Sequence, residues 1–224
     1  MATSILVAWS GGKDCLMALD RLLADPHWKV SGLLTTLDRT SDRVAMHDVH
    51  GDVLRAQAAA LKLPLIEMAI DWPAPNEVYE SALASALDQA RLKFANLAHV
   101  AFGDIFLADI REWREASLDR LGWKPVFPLW NTPTRELAKE FLRRGHRAVV
   151  TTIDLDQLDG AFCGREFDSR FLAELPDSVD ACGENGEFHT LCHASPLFST
   201  PMLLESGVAT TRSGRFRSMD YQLV

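Results

Sequence analysis

Apolar and polar positions alternate in two recurring rhythms along this chain. Residues 4–9, Ser-Ile-Leu-Val-Ala-Trp, form a short apolar run rich in β-formers, which predicts a buried strand. Leu16, Leu19, Leu22 and Leu23 follow at helical spacing, so residues 15–24 predict a helix. The same pair recurs downstream. Strands are expected at 29–37, 64–70, 99–102 and 125–130, and helices at 50–63, from Pro75 or Asn76 to about Phe94, and at 107–121. Five strands alternating with helices, and no hairpin signal between them, predict an α/β fold with a doubly wound parallel sheet. Beyond Trp130 the rhythm changes. Thr132 is expected to cap a helix that starts at Pro133 and ends near Gly145. A strand at 147–153, a helix near 166–174 and short strands around 187–193, 202–206 and 216–224 complete a smaller α+β lobe. The expected division is therefore 1–130 and 131–224.

In a doubly wound sheet, ligands sit beyond the carboxyl ends of the strands. The residues that follow the strands are the informative ones. Ser10-Gly11-Gly12-Lys13-Asp14 joins the first strand to the first helix. A strand that turns through glycines into a helix N-terminus offers backbone N–H groups and the positive end of the helix dipole, a setting that binds phosphate. Lys13 adds a charge and Ser10 a hydroxyl. The same five residues could also be an ordinary turn with a solvated lysine. They are not a Walker A loop, because Val7 and Asp14 stand where that motif needs a glycine and a Ser or Thr. Thr35, Thr36, His47 and Gly103-Asp104-Ile105 also follow strands, and are expected around the nucleoside of a bound nucleotide.

The second polar cluster is Cys182-Gly183-Glu184-Asn185-Gly186-Glu187-Phe188-His189-Thr190. Its glycines suggest a tight turn that can approach a ligand. Glu184 and Glu187 could bind Mg²⁺ or orient an amine, and His189 could serve as acid or base. A surface turn with solvated glutamates is the competing reading. Cys182, His189, Cys192 and His193 match no standard zinc spacing.

Composition narrows the partners. The 224 residues are 47% hydrophobic and 24% charged, with 23 basic and 31 acidic side chains and a net charge of −8. That balance argues against nucleic acid and against an anionic membrane surface. No stretch of sequence reaches a membrane span. The N-terminus lacks a secretory pattern, and the four cysteines form no Cys-x-x-Cys pair, so a reducing cytoplasm is expected.

The glycine loop, Met46-His47, Phe102-Gly103-Asp104-Ile105, Trp113-Arg114-Glu115, Pro128-Leu129-Trp130 and the 182–190 cluster together resemble the diphthine–ammonia ligase family, within the PP-loop ATP pyrophosphatases. The likeness spans nearly the whole chain. It implies an adenine nucleotide α-hydrolase-like lobe that binds ATP and a C-terminal lobe that forms the substrate pocket. The implied reaction adenylates a carboxylate with ATP and Mg²⁺, then displaces AMP with ammonia. The chain departs from the family in three places. Cys15 replaces a serine, Asn185 a glycine and His189 a glutamate, a variant similar to the bacterial branch, for which a role in cobalamin precursor salvage has been suggested. Position 2 is Ala2 rather than a glutaminase cysteine, so ammonia is expected from solution or a partner.

The resemblance and the strand-end positions together assign ATP to Ala8, Ser10, Gly11, Gly12, Lys13, Asp14, Cys15, Thr35, Thr36, His47, Gly103, Asp104 and Ile105, with Asp14 also a metal ligand. They assign the small-molecule or protein-borne carboxylate to Pro128, Leu129, Trp130, Gly183, Glu184, Asn185, Gly186, Glu187, His189 and Thr190. Catalytic roles fall to Ser10, Lys13, Asp14, Glu187 and His189. A homodimer is compatible with this reading. A protein that holds nucleotide without turnover is the alternative.

Overall fold

The computed structural model describes residues 2–44 and 47–224. Met46, part of the Met46-His47 pair, lies outside them. Strand β1 (Thr3–Ala8) is central, because its apolar residues are buried on both sides. Ile5 and Val7 face one hydrophobic cluster and Leu6 the other, as the pleat of a strand requires. Around it lie β2 (Trp28–Asp38), β4 (Leu65–Ile70), β5 (His99–Ala101) and β6 (Lys124–Val126), all parallel, in the order β4-β2-β1-β5-β6. The strand order reverses at β1, between β2 and β5, so a crevice opens there at the carboxyl ends.

Helices α1 (Lys13–Ala24) and α2 (Gly51–Leu61) pack one face of the sheet. Helices α3 (Asn76–Lys93) and α4 (Ala108–Arg120) pack the other. The doubly wound α/β expectation holds. Among the described residues, no helix is long and apolar enough to cross a membrane.

The second sheet is antiparallel, in the order β8-β7-β10-β9: β7 (Arg147–Asp154), β8 (Phe188–Ala194), β9 (Leu204–Arg212) and β10 (Phe216–Leu223). It shares one core with the α1 face. Phe141, Phe167, Phe171 and Phe188 belong to the same cluster as Leu16 and Leu19.

Several local expectations change. A two-residue strand, β3 (Arg43–Val44), pairs antiparallel with the end of β2, a hairpin too short to carry a pattern of its own. The fifth parallel strand stops at Val126, and Phe127 to Trp130 turn away. Helix α5 (Thr134–Arg143) is not capped by Thr132, whose hydroxyl instead accepts a hydrogen bond from Arg21 Nη1 at 2.9 Å. Helix α6 (Ser169–Glu174) starts later than expected, because Asp168 Oδ1 accepts from the Phe171 N–H at 2.7 Å and sets its first turn.

Candidate active site

The loop Ser10–Gly12 leaves the end of β1 and enters α1 with Gly12 as the cap residue and no side chain capping the helix. Gly11 has φ +81°, a left-handed conformation that favours glycine. One helix-end donor is used internally: the Lys13 N–H donates to Thr190 Oγ1 at 3.1 Å, across to β8. The loop therefore lies directly beneath the 182–190 turn. From the other side of the crevice the chain after β5 crosses the start of α1. A Cβ on Gly103 would stand 2.9 Å from the Asp14 carbonyl carbon and 3.0 Å from the Cys15 nitrogen, so only glycine permits this backbone crossing.

Loop, crossing and turn enclose one cavity of about 580 Å³. Of the predicted residues, Ala8, Ser10, Gly12, Lys13, Asp14, Cys15, Thr36, His47, Gly103 and Asp104 line it, as do Gly183, Glu184, Asn185, Gly186, His189 and Thr190. That size lies in the ordinary range for a small-ligand site.

The other predicted residues stand back from the wall. Gly11 faces Gln57. Thr35 is buried on the opposite face of β2 from Leu34 and Thr36, which do line the cavity. The Ile105 side chain is fully buried, although its backbone N–H serves the site. Leu129 is core, Pro128 offers its carbonyl to Arg21 at 2.9 Å, and Trp130 stacks under the Arg111 guanidinium at 4.6 Å. Pro128 and Leu129 therefore support the α1 face and Trp130 supports α4, rather than the cavity. Glu187 is 1% exposed. Its carboxylate accepts from the Asp180 N–H at 2.8 Å, the Asn185 N–H at 3.0 Å and Asn185 Nδ2 at 2.9 Å. It therefore shapes the turn from within.

Electrostatics divides the cavity. The Lys13 ammonium is buried, donates to the Asp14 carboxylate at 2.8 and 2.9 Å and to the Cys182 carbonyl, and lies 5.6 Å above the Phe188 ring. Burial opposes its charge, but Asp14 and Glu184 outweigh burial and raise its pKa. Burial pushes the Asp14 carboxyl up, against the pull of Lys13. Glu184 Oε1 accepts from the Ile105 N–H at 2.7 Å, which joins the turn to the β5 crossing. Burial, with the charges of Asp14 and Asp104, carries Glu184 up to about 7, against the two backbone donors. Arg114, on α4, neutralises Asp104 with Nε 2.8 Å from Oδ2.

On the facing wall the His47 and His189 rings pack with centroids 4.4 Å apart, tilted by 37°. Burial and the Lys13 charge lower His189 to about 4, and burial holds His47 well below its ordinary value, so both are neutral near pH 7. Burial lifts the Cys15 thiol to about 11, which leaves it protonated and unreactive there.

Sequence reading did not single out Trp9, Tyr79, Leu83, Leu107 or Ile110, which also line the cavity, nor give Arg114 a role. It also missed Gln57, which is fully buried and touches the loop. A signal for Gln57 was present: it falls four residues after Val53 on the apolar stripe of α2.

Two family models match. One, described as diphthamide synthase N-terminal domain, covers residues 3–125, and the other, described as diphthamide synthase C-terminal domain, covers residues 133–211. No individual curated protein matches the chain.

Proposed function

Because the chain belongs to the diphthamide synthase family, a family of ATP-using PP-loop proteins, we propose that it is an ATP-dependent amide ligase. It adenylates a carboxylate and amidates the product with ammonia, releasing pyrophosphate and AMP. The observation that carries this reading is the convergence of the glycine loop, the Gly103–Asp104 crossing and the 182–190 turn on one cavity. Phosphate chemistry needs donors at the loop, and the carboxylate that accepts the adenylyl group needs a separate wall facing the α-phosphate.

The donor set fits both ligands. The loop supplies N–H groups at a helix N-terminus, together with the Lys13 cation. Asp14, Asp104 and Glu184 supply hard oxygens on the same cavity. Among the described residues, no three His, Cys, Asp or Glu side chains form a ligand set of their own. Mg²⁺ is usually held by one or two carboxylates and the substrate phosphates, and such a site fits that pattern. When bound, Mg²⁺ neutralises charge developing on the phosphates.

The chain's own residues then divide the work. Lys13 and the loop N–H groups face the pyrophosphate that leaves when the carboxylate oxygen attacks the α-phosphorus. Thr36, His47 and Gly103 flank the nucleoside. Glu184 is the glutamate of the turn on the cavity wall, and it is the group placed to hold an ammonium ion and take a proton from it. The freed nitrogen attacks the acyl carbon, the carbon–oxygen bond to AMP breaks, and the second proton passes to water. Neutral His189 can accept or donate a hydrogen bond there, but carries no acidic proton to give near pH 7.

The test is product analysis. Purified protein is incubated with Mg-ATP, ¹⁵N-ammonium and a cell extract, with mass spectrometry of nucleotides and amides. AMP and pyrophosphate in equal amounts, with ¹⁵N in a new amide, are expected. ADP and phosphate, or no turnover beside intact ATP binding, would overturn the ligase reading.

A further inference from the structure

We propose that Gln57 is a positioning residue for the phosphate loop: its buried amide fixes the Gly11–Gly12 peptide so that the Gly12 N–H faces the cavity. This inference rests on the ATP reading above and adds to it a residue far from the loop in sequence.

Gln57 is fully buried on α2 and bridges three elements. Its Oε1 accepts from Trp9 Nε1 at 2.8 Å, at the end of β1. An indole N–H is a donor only, so the amide oxygen must face Trp9 and the NH₂ must face away. That NH₂ donates to the Gly11 carbonyl at 3.1 Å and to the Cys192 carbonyl, on β8, at 2.7 Å. The Gly11 carbonyl accepts a second hydrogen bond, from the Cys192 N–H, at 2.8 Å.

Two donors thus hold one carbonyl. A peptide unit is planar and trans, so the Gly11 C=O and the Gly12 N–H point in opposite directions. Gly11 lies on the Gln57 side and Gly12 lines the cavity. Turning the Gly12 N–H away would break both hydrogen bonds and bury an unpaired carbonyl. A Cβ on Gly11 would stand 2.9 Å from Gln57 Oε1, so the loop and the glutamine are fitted to each other. The donor an anion needs is therefore aimed before any anion arrives, and Gln57 does the aiming without touching the ligand.

Gln57→Glu tests this. The replacement keeps the shape, but carries no proton when ionised and one when protonated, so it cannot serve both carbonyls. Calorimetry on the full chain, with Mg-α,β-methylene-ATP and with adenosine as probes, reads the phosphate contribution separately from the nucleoside. Affinity for the nucleotide is expected to fall about tenfold, with affinity for adenosine unchanged. Equal weakening of both, or no weakening, overturns the proposal. Should this variant fail to fold, Gln57→Met, of similar length but with no amide, removes both donated hydrogen bonds away from the cavity wall and leaves the Cys192 N–H on the Gly11 carbonyl. There a smaller loss confined to the nucleotide is expected, and an unchanged nucleotide-to-adenosine ratio overturns it. If the unaltered protein binds both probes alike, the ATP reading itself fails and this inference falls with it.

Discussion

The Glu187 carboxylate ends three hydrogen bonds inside the 182–190 turn. Gln at this position would set an NH₂ against those donors, so Glu187→Gln should cost about 1–3 kcal/mol of stability. Urea unfolding reads that loss, and unchanged stability would return Glu187 to a direct role at the substrate. Glu184 and His189 make the pH dependence separable. The folded-state pKa of Glu184 is raised to about 7 from 4.5, so its contribution to stability is complete below 4.5 and is lost as pH rises through 7. The His189 value is depressed to about 4 from 6.5, so its contribution is present above 6.5 and is lost as pH falls through 4. Glu184→Gln should therefore flatten the decline in melting temperature between pH 4.5 and 7, and His189→Asn the decline on the acid side. Melting curves across pH for the two variants check both signs.

At the level of elements, the critical contact is backbone on backbone, where the chain after β5 crosses the first turn of α1. Gly103→Ala would force a methyl group to within 2.9 to 3.1 Å of Asp14 and Cys15 main-chain atoms, which cannot rotate away. The helix start must shift, and with it the loop N–H groups. Nucleotide binding is expected to weaken by more than tenfold, at a stability cost of about 1–3 kcal/mol, the usual range for overpacking. Calorimetry and thermal melting separate the two effects; an unaffected nucleotide affinity would show that α1 is not held by this crossing.

For the molecule as a whole, the two sheets are joined by one core. Phe141, Phe167, Phe171 and Phe188 share a cluster with Ile5, Leu16 and Leu19. The chain should therefore unfold in a single transition despite its two sheets. All six tryptophans fall at or before Trp130, so their fluorescence reports the first 130 residues alone, while far-UV circular dichroism reports both sheets. Coincident denaturation curves are expected, and a fragment beginning at residue 131 is expected not to fold. Separated midpoints would establish two independent lobes.

The strand–glycine–helix unit and the doubly wound alternation were legible in the sequence. Each is a local signal: a period of two or of 3.6, and glycines where the backbone turns. The 182–190 cluster was legible as a turn for the same reason. Which of its two glutamates reaches the cavity was not, because Glu187 is claimed by donors at Asp180 and Asn185, while Glu184 crosses to the Ile105 N–H seventy-nine positions away. Thr35 and Thr36 are equivalent by composition, and only the packing on each face of β2 separates them. Gln57 looked like one more position in an alanine-rich helix until α2, the loop and β8 were brought together around it. Short-range periodicity determines elements; the direction of a polar group inside the core is decided by partners distant in sequence, and these meet only when the chain is folded.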